Sequence, residues 1–178
     1  MKFILLFSIS LTLSFASYAQ KPAELLKKAG NLIHKPKPAL KPVAINLENV
    51  DYPFPVSYIS LTLQNKDLKM AYMDLKSKKP NGDVVLLLHG KNFCASYWKR
   101  TALDLSKAGY RVIMPDQIGF GKSSKPEQLV YSFQLLAQNT KALLDSLEVK
   151  NVIVLGHSMG GMLATRFVLM YPELITKN

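Results

Sequence analysis

Three short, continuous apolar runs recur along the second half of the chain, and a helix-length segment follows each of them. The first run is Val84–Leu88, and the other two lie in the predicted strands Arg111–Met114 and Asn151–Leu155, each after one polar residue. Continuous apolar runs of this length are typical of strands that are covered on both faces. The helix-length segments are Tyr97–Ala108, Val130–Leu147 and Met159–Met170. Because strands that alternate with helices pair in parallel, the pattern predicts an α/β fold with helices on the faces of a mostly parallel sheet.

A hairpin is predicted before this alternation. Ser57–Leu63 alternates apolar and polar residues, as a half-buried strand does, and Lys69–Leu75 is a second candidate strand. Asn65-Lys66-Asp67 lies between them and is predicted to be the turn. The expected element order is therefore a β-hairpin followed by strand and helix three times.

The first 50 residues differ in composition from the rest. One lysine, the apolar run 3–15 and the small residues of Ser17-Tyr18-Ala19 follow the order of a secretory signal peptide. Residues 1–19 are thus predicted to be removed, with the protein exported to the periplasm or the extracellular space. A membrane anchor is the alternative, although the run is short for a span. Residues 20–50, with six lysines against two glutamates, are predicted to be a basic linker, which leaves 51–178 as the folded domain.

Charge and composition narrow the function. The formal net charge is +11, and six of the lysines lie in the linker, where no aromatic residues or nucleic-acid motif accompany them. We therefore expect no nucleic-acid partner, and no membrane span once the signal peptide is removed. The single cysteine excludes an intrachain disulfide. No cluster of ligating residues indicates a metal or an organic cofactor, so neither is expected.

The strongest chemical motif is Gly156-His157-Ser158-Met159-Gly160. Gly-x-Ser-x-Gly is a weak signal alone, but here it lies between a buried strand and an apolar helix, which is the setting of a nucleophile elbow. Ser158 is the candidate nucleophile, and the amide of Met159 is a candidate donor to an oxyanion. A tight turn with an incidental serine is the alternative. His157 is not expected to be the base, because neighbouring residues of a turn point in different directions.

A second motif, His89-Gly90-Lys91-Asn92, ends the first buried strand. A loop at this place can supply the other oxyanion-hole amide. Lys91 is the first choice and Asn92 the second. His89 is expected to shape the loop through hydrogen bonds, with a role as general base as the alternative.

The third motif runs from Asp116 to Gly121-Lys122-Ser123. A phosphate-binding P-loop has glycine five residues before its Gly-Lys pair, and Asp116 stands in that position. Its negative charge opposes phosphate binding. Asp116 is instead predicted to order the loop by accepting backbone N–H bonds, a catalytic role being the alternative.

These three motifs, in this order, resemble the α/β-hydrolase fold family over roughly residues 51–178. The resemblance implies hydrolysis of a small ester, thioester or amide through an acyl-enzyme, by a serine, a histidine and an acid. It also implies that Gly90, Gly156 and Gly160 allow close approach around the nucleophile. The serine at position 158 separates the chain from the dehalogenase and epoxide-hydrolase branches, which resemble this region but have aspartate there.

The rest of the triad is missing from the sequence. In the family the acid and then the histidine follow the serine, whereas no aspartate or histidine follows Ser158. We therefore expect an N-terminal part of such a domain, truncated before the late strands and cap and with little or no activity alone. A non-catalytic α/β-hydrolase-like binding protein is the alternative. Four aromatic residues are candidates either for an apolar pocket or for the core: Phe93, Tyr97, Trp98 and Phe120.

Overall fold

The hairpin and the alternating segments form one five-stranded sheet in the computed structural model, which describes residues 42–176 and, before them, only the helical Lys27. The predicted signal peptide and, apart from Lys27, residues 20–41 of the predicted linker lie outside the described residues. The strands are β1 (Val56–Leu63), β2 (Lys66–Leu75), β3 (Val84–Leu88), β4 (Arg111–Pro115) and β5 (Ile153–Gly156). The helices are α1 (Lys99–Lys107), α2 (Phe133–Ser146) and α3 (Met159–Met170), with single 3₁₀ turns at Ala95–Trp98 and Pro172–Leu174.

The strand order is β1-β2-β4-β3-β5. The hairpin β1–β2 is antiparallel and β2 pairs antiparallel with β4, whereas β4, β3 and β5 are parallel to one another. Four of the five strands therefore point the same way, and the predicted mostly parallel sheet after a β-hairpin is confirmed. Leu88 lies opposite Gly156 in the register of β3 and β5. The loops that follow these two strands consequently leave the sheet side by side.

The central strands are apolar throughout because both of their faces are covered. In β3, Leu86 and Leu88 pack with α2 and α3, while Val85 and Leu87 pack on the opposite face with Trp98 and Ala102. All four of these β3 side chains are buried. Each buried aliphatic side chain contributes about 1.5–3 kcal/mol to folding, so the two-sided core makes β3 a rigid support for the loop after it.

Local signals set the element ends. Ser132 caps α2, its side chain accepting from the amide of Leu135 at 3.1 Å, so the helix begins at Phe133 rather than at the predicted Val130. The hairpin turn is Gln64-Asn65, both with positive φ, because Lys66 pairs with Leu63 in the ladder. The predicted turn at Asn65-Lys66-Asp67 is therefore wrong in position, because Lys66 and Asp67 already belong to β2.

Residues 43–50, grouped with the linker in the sequence analysis, belong to the same compact unit as the sheet. Lys122 Nζ donates to the carbonyl oxygen of Leu47 at 2.7 Å, and Lys125 Nζ lies 3.4 Å from Asn46 Oδ1. Among the described residues no helix is long and apolar enough to cross a membrane.

Candidate active site

The chain turns sharply at Ser158, between the end of β5 and the start of α3. Ser158 has φ 55° and ψ −121°, a conformation that L-residues rarely adopt and that costs about 1–3 kcal/mol. Its side chain is exposed and does not cap α3. Within residues 42–176 the Ser158 hydroxyl has no hydrogen-bond partner. A strained residue with an available hydroxyl is the arrangement that the sequence motif predicted.

Two glycines make this turn sterically possible. A Cβ at Gly156 would overlap the backbone of Gly160 and lie 2.6 Å from the amide nitrogen of Gly161. A Cβ at Gly160 would overlap the carbonyl oxygen of Leu88 and lie 2.7 Å from that of His89. The first turn of α3 is therefore pressed against the end of β3, which only glycine permits at these two positions.

The loop after β3 meets the elbow at Gly90. A Cβ at Gly90 would lie 3.3 Å from Ser158 Cβ and 3.1 Å from His157 Nδ1. The amide of His157 donates to the carbonyl oxygen of Leu88 at 3.1 Å and ties the two segments together. The structure thus brings together the first two sequence motifs, 89–92 and 156–160.

Backbone amides beside the hydroxyl remain available. Within residues 42–176 the amides of Lys91, Asn92 and Met159 donate to no protein acceptor. Met159 is the first residue of α3, where the helix dipole favours negative charge. Lys91 and Asn92 are exposed, and Asn92 has φ 65°. This end of the sheet can therefore stabilise an anion that develops next to Ser158.

His89 is buried and uses both ring nitrogens. Nε2 accepts from the amide of Gln117 at 2.9 Å, so Nδ1 carries the proton and donates to the carbonyl oxygen of Gly90 at 2.9 Å. Burial lowers the pKa of His89, against the hydrogen bond to Gly90 and the charge of Asp116, which raise it. The ring is consequently neutral and fixed in the loop, and it has no nitrogen left to activate Ser158.

Asp116 is buried at the end of β4 and accepts three hydrogen bonds. The donors are the hydroxyl of Tyr52 at 2.7 Å, the amide of Ala95 at 2.6 Å and the amide of Lys122 at 2.7 Å. Because the next residue, Gln117, binds His89, residues 116 and 117 hold the two ends of loop 89–95. Asp116 therefore helps to hold the loop that contains Lys91 and Asn92 in place.

Tyr52 is a supporting residue that the sequence analysis missed. Burial raises the pKa of Tyr52, and Cys94 and Asp116 act in the same direction, so the hydroxyl stays protonated and donates to Asp116. The Lys122 ammonium lies 5.0 Å from the centre of the Tyr52 ring. Tyr52 is 64 residues from Asp116 in the chain, and no local pattern links the two.

The Gly121-Lys122-Ser123 segment is used inside the fold. Ser123 is buried, accepts from the amide of Ala71 at 2.8 Å and donates to the carbonyl oxygen of Asp116 at 2.6 Å. Lys122 Nζ is bound to Leu47, and the Lys122 amide is bound to Asp116. The Lys122 ammonium, the Lys122 amide and the Ser123 hydroxyl are thus engaged with the protein, which argues against the P-loop interpretation.

The four candidate aromatic residues fall in different environments. Trp98 is buried in the core, and Phe120 packs edge-on against His89 with ring centres 5.3 Å apart. Phe93 and Tyr97 are 48% and 37% exposed, and both contact the ring of His157. His157 makes no hydrogen bond to Ser158. Its ring belongs to an aromatic cluster beside the nucleophile candidate.

A family model of the alpha/beta hydrolase fold matches residues 83–177, more than half of the chain. The chain belongs to the α/β-hydrolase fold family. This confirms the resemblance that the three motifs indicated. The matched region contains β3, the loop from Asp116 to Ser123 and the elbow, so the α/β-hydrolase assignment covers all three motifs described above.

Individual relatives of this α/β-hydrolase domain agree with the family. A crystal structure of a probable hydrolytic enzyme from Pseudomonas aeruginosa PAO1 is 56% identical, with a TM-score of 0.74, over 75% of this chain and 43% of that one. A haloalkane dehalogenase of Psychrobacter cryohalolentis is 33% identical over 69% of this chain and 41% of the relative. A 2-hydroxy-6-oxononadienedioate/2-hydroxy-6-oxononatrienedioate hydrolase of Paraburkholderia phymatum is 34% identical over 67% and 42%. The chain therefore spans about two fifths of the length of these relatives.

Proposed function

We propose that this domain carries the nucleophile and the oxyanion hole of a serine hydrolase that acts on small esters, thioesters or amides. The observation that carries the proposal is the exposed, unpartnered hydroxyl of Ser158 in a strained turn, beside the loop at Gly90. The dehalogenase name of one relative does not transfer directly, because the resemblance places an aspartate at this position in that branch.

In the proposed reaction Ser158 Oγ attacks the carbonyl carbon of the substrate. The amide of Met159 and that of Lys91, or else that of Asn92, stabilise the negative charge on the carbonyl oxygen. The hydroxyl proton passes to a base and then to the leaving alcohol, thiol or amine, which leaves an acyl group on Ser158. Water hydrolyses this acyl-enzyme and regenerates the serine.

The base is proposed to lie beyond the described residues. Both nitrogens of His89 are engaged, and the ring of His157 packs on Phe93 and Tyr97 without bonding Ser158. We infer that an acid and a histidine following residue 178 in a longer polypeptide complete the site. The 178-residue chain alone is then weakly active, because a serine without its base is a poor nucleophile.

The test is covalent labelling of the 178-residue chain with a fluorophosphonate, with the site located by peptide mass spectrometry. We expect slow labelling of Ser158, accelerated by added imidazole as a substitute base and abolished by Ser158→Ala. Ser57→Ala, an exposed serine on β1, is the matched control and leaves the rate unchanged. Rapid stoichiometric labelling without imidazole would contradict the missing base. No labelling of Ser158 under either condition would favour a non-catalytic binding protein.

We also propose that the protein is exported, on the strength of the apolar segment and Ser17-Tyr18-Ala19. Expression of the complete reading frame in a bacterial host, followed by N-terminal sequencing of the periplasmic fraction, is expected to show a mature chain that begins at Gln20. An intact Met1 in the cytoplasmic fraction would refute the signal peptide, and an intact Met1 in the membrane fraction would indicate the anchor instead.

A further inference from the structure

Three rings form a contiguous cluster directly beside Ser158. The ring centres of Phe93 and Tyr97 are 5.1 Å apart, those of Phe93 and His157 are 5.7 Å apart, and those of Tyr97 and His157 are 5.8 Å apart. The planes meet at 47°, 72° and 63°, so the rings are tilted or edge-to-face. We call Phe93, Tyr97 and His157 the ring cluster.

The ring cluster faces outward although its base is fixed to the core. Tyr97 stacks on the buried Trp98 with ring centres 4.6 Å apart and planes at 28°. The amide of Phe93 donates to the carbonyl oxygen of Gly90 at 3.2 Å. The rings are thus held in place before any ligand binds, which reduces the ordering cost of binding. Isolated exposed apolar residues need no explanation, but contiguous exposed rings next to a nucleophile do.

The ring cluster and the nucleophile share their neighbours. Gly90 approaches both His157 Nδ1 and Ser158 Cβ, and His157 directly precedes Ser158 in the elbow. Phe93 follows Asn92 in the loop whose amides are candidate oxyanion donors. A molecule whose carbonyl group lies at Ser158 therefore has the ring cluster within reach of its adjoining group.

We propose that the ring cluster binds an aromatic group of the substrate while the scissile carbonyl lies at Ser158. This inference rests on the proposed function and specifies its substrate class as aryl-bearing esters, thioesters or amides. Rings that meet edge-to-face favour a further ring over an aliphatic chain of the same area, because the positive edge of one ring meets the negative face of the next.

The test measures binding to the 178-residue chain rather than turnover. Phenylacetamide is the aromatic probe and hexanamide is its aliphatic counterpart. Simple amides are used because they are not hydrolysed during the titration. The ¹H–¹³C signals of the His157 imidazole report ring-current shifts, and the fluorescence of Trp98, the single tryptophan, provides a second readout. Phenylacetamide is expected to bind about 2- to 10-fold more tightly than hexanamide, the preference that aromatic contacts confer.

Variants locate the binding surface. Phe93→Ala and Tyr97→Ala should each weaken phenylacetamide binding about 2- to 10-fold. Tyr58→Ala is the matched control, because its ring is 51% exposed but lies on β1, outside the ring cluster. If either alanine variant loses its cooperative melt, Phe93→Leu and Tyr97→Leu keep the apolar volume and should show the same loss of aromatic preference. Equal binding of the two probes, or His157 signals that do not shift on titration, would overturn the inference.

Failure of this inference and failure of the proposed function give different results. Ser158→Ala should retain phenylacetamide binding, because the ring cluster does not need the hydroxyl. Labelling of Ser158 together with equal binding of the two probes would support the proposed nucleophile and contradict the aromatic site. Tighter binding of phenylacetamide without any labelling of Ser158 would contradict the proposed hydrolase function. The ring cluster would then be an aromatic-binding surface that is not a substrate site.

Discussion

The Asp116 loop (residues 116–124) and the elbow (residues 156–160) both follow strands of the central sheet, and both contain glycines and serine. Their polar groups differ. In the Asp116 loop, the amides of Gly119, Phe120 and Ser123 donate to backbone carbonyl oxygens within the loop. In the elbow, the Ser158 hydroxyl has no partner within residues 42–176. A loop whose side chains and most of whose amides bind the protein supports the fold, whereas a loop that keeps a hydroxyl available under backbone strain is suited to chemistry.

The two loops nevertheless depend on each other. Asp116 and Gln117 bind the two ends of loop 89–95, and that loop contacts the elbow through Gly90. The Asp116 loop thus holds loop 89–95, which in turn contacts the strained elbow. Changes in the Asp116 loop should act on stability first, and changes in the elbow should separate stability from reactivity.

The largest expected effect is steric and lies in the elbow. Gly160→Ala places a Cβ on the carbonyl oxygen of Leu88, so α3 must move away from β3. We expect a loss of about 3 kcal/mol or more in the free energy of unfolding, measured by urea denaturation. Gly161→Ala is the control, because its Cβ would meet only the carbonyl oxygen of Gly156, at 3.7 Å. It should gain up to about 1 kcal/mol from helix propensity. Equal stability of the two variants would mean that α3 does not pack as closely as described.

The next effect tests the Asp116 loop. Asp116→Ala leaves the buried amide of Ala95 and the part-buried amide of Lys122 without their acceptor. Each hydrogen bond to a charged group contributes about 1.5–3 kcal/mol, so we expect a loss of about 3 kcal/mol in a urea titration. Tyr52→Phe removes one of the three donors and should cost about 1–2 kcal/mol. Asp67→Ala, at an exposed carboxylate on β2, should change stability by less than about 0.5 kcal/mol. A loss at Asp116 no larger than that at Asp67 would break the comparison.

The elbow could be predicted from the sequence because its determinants are local. Gly156, Ser158 and Gly160 lie within five residues between a buried strand and a helix, and the predicted helix 159–170 has the same bounds as α3. The turn and its glycines follow from steric rules that involve near neighbours in the chain. The α/β class was likewise predictable from the alternation of apolar runs and helical stripes.

The support of the site could not be predicted, because its contacts join distant parts of the chain. Asp116 was expected to accept amide bonds, yet nothing local identifies Ala95, 21 residues away, as a partner. That bond holds the start of the 3₁₀ turn at Ala95–Trp98, where a single α-helix from Tyr97 was predicted. The insertion of β4 between β2 and β3 is also a tertiary result, since nothing in the sequence of these strands sets their order in the sheet.

A smaller effect separates strain from function in the elbow. Ser158→Gly removes the Cβ at φ 55°, ψ −121°, where only glycine is unstrained. We expect a gain of about 1–2 kcal/mol in stability together with complete loss of fluorophosphonate labelling. Ser158→Ala should also lose labelling, but its stability should stay within about 0.5 kcal/mol, because the strain remains and the hydroxyl has no partner. If Ser158→Gly were no more stable than Ser158→Ala, the turn would not be strained.

The smallest expected effect is the contribution of His89 to the pH dependence of the free energy of unfolding. Burial lowers the pKa of His89 in the folded protein, whereas the unfolded chain titrates near about 6.5. Below about pH 6.5 the unfolded state binds a proton at His89 that the folded state does not bind. The contribution of His89 to the free energy of unfolding is therefore complete above this pH, and it declines as the pH falls toward the lowered pKa of the folded state. The slope due to this one group is at most about 1.4 kcal/mol per pH unit.

Urea titrations between pH 7.5 and 5 on wild type and His89→Asn isolate this contribution, because all other titratable groups are common to both proteins. The amide nitrogen of the substituted side chain stands at the position of Nδ1 and can donate to the carbonyl oxygen of Gly90, so one of the two hydrogen bonds of His89 is lost rather than both. The difference in unfolding free energy between the two proteins should shrink as the pH falls. A difference that is constant across this range would mean that His89 is protonated alike in both states, and the neutral ring that links loop 89–95 to β4 would have to be abandoned.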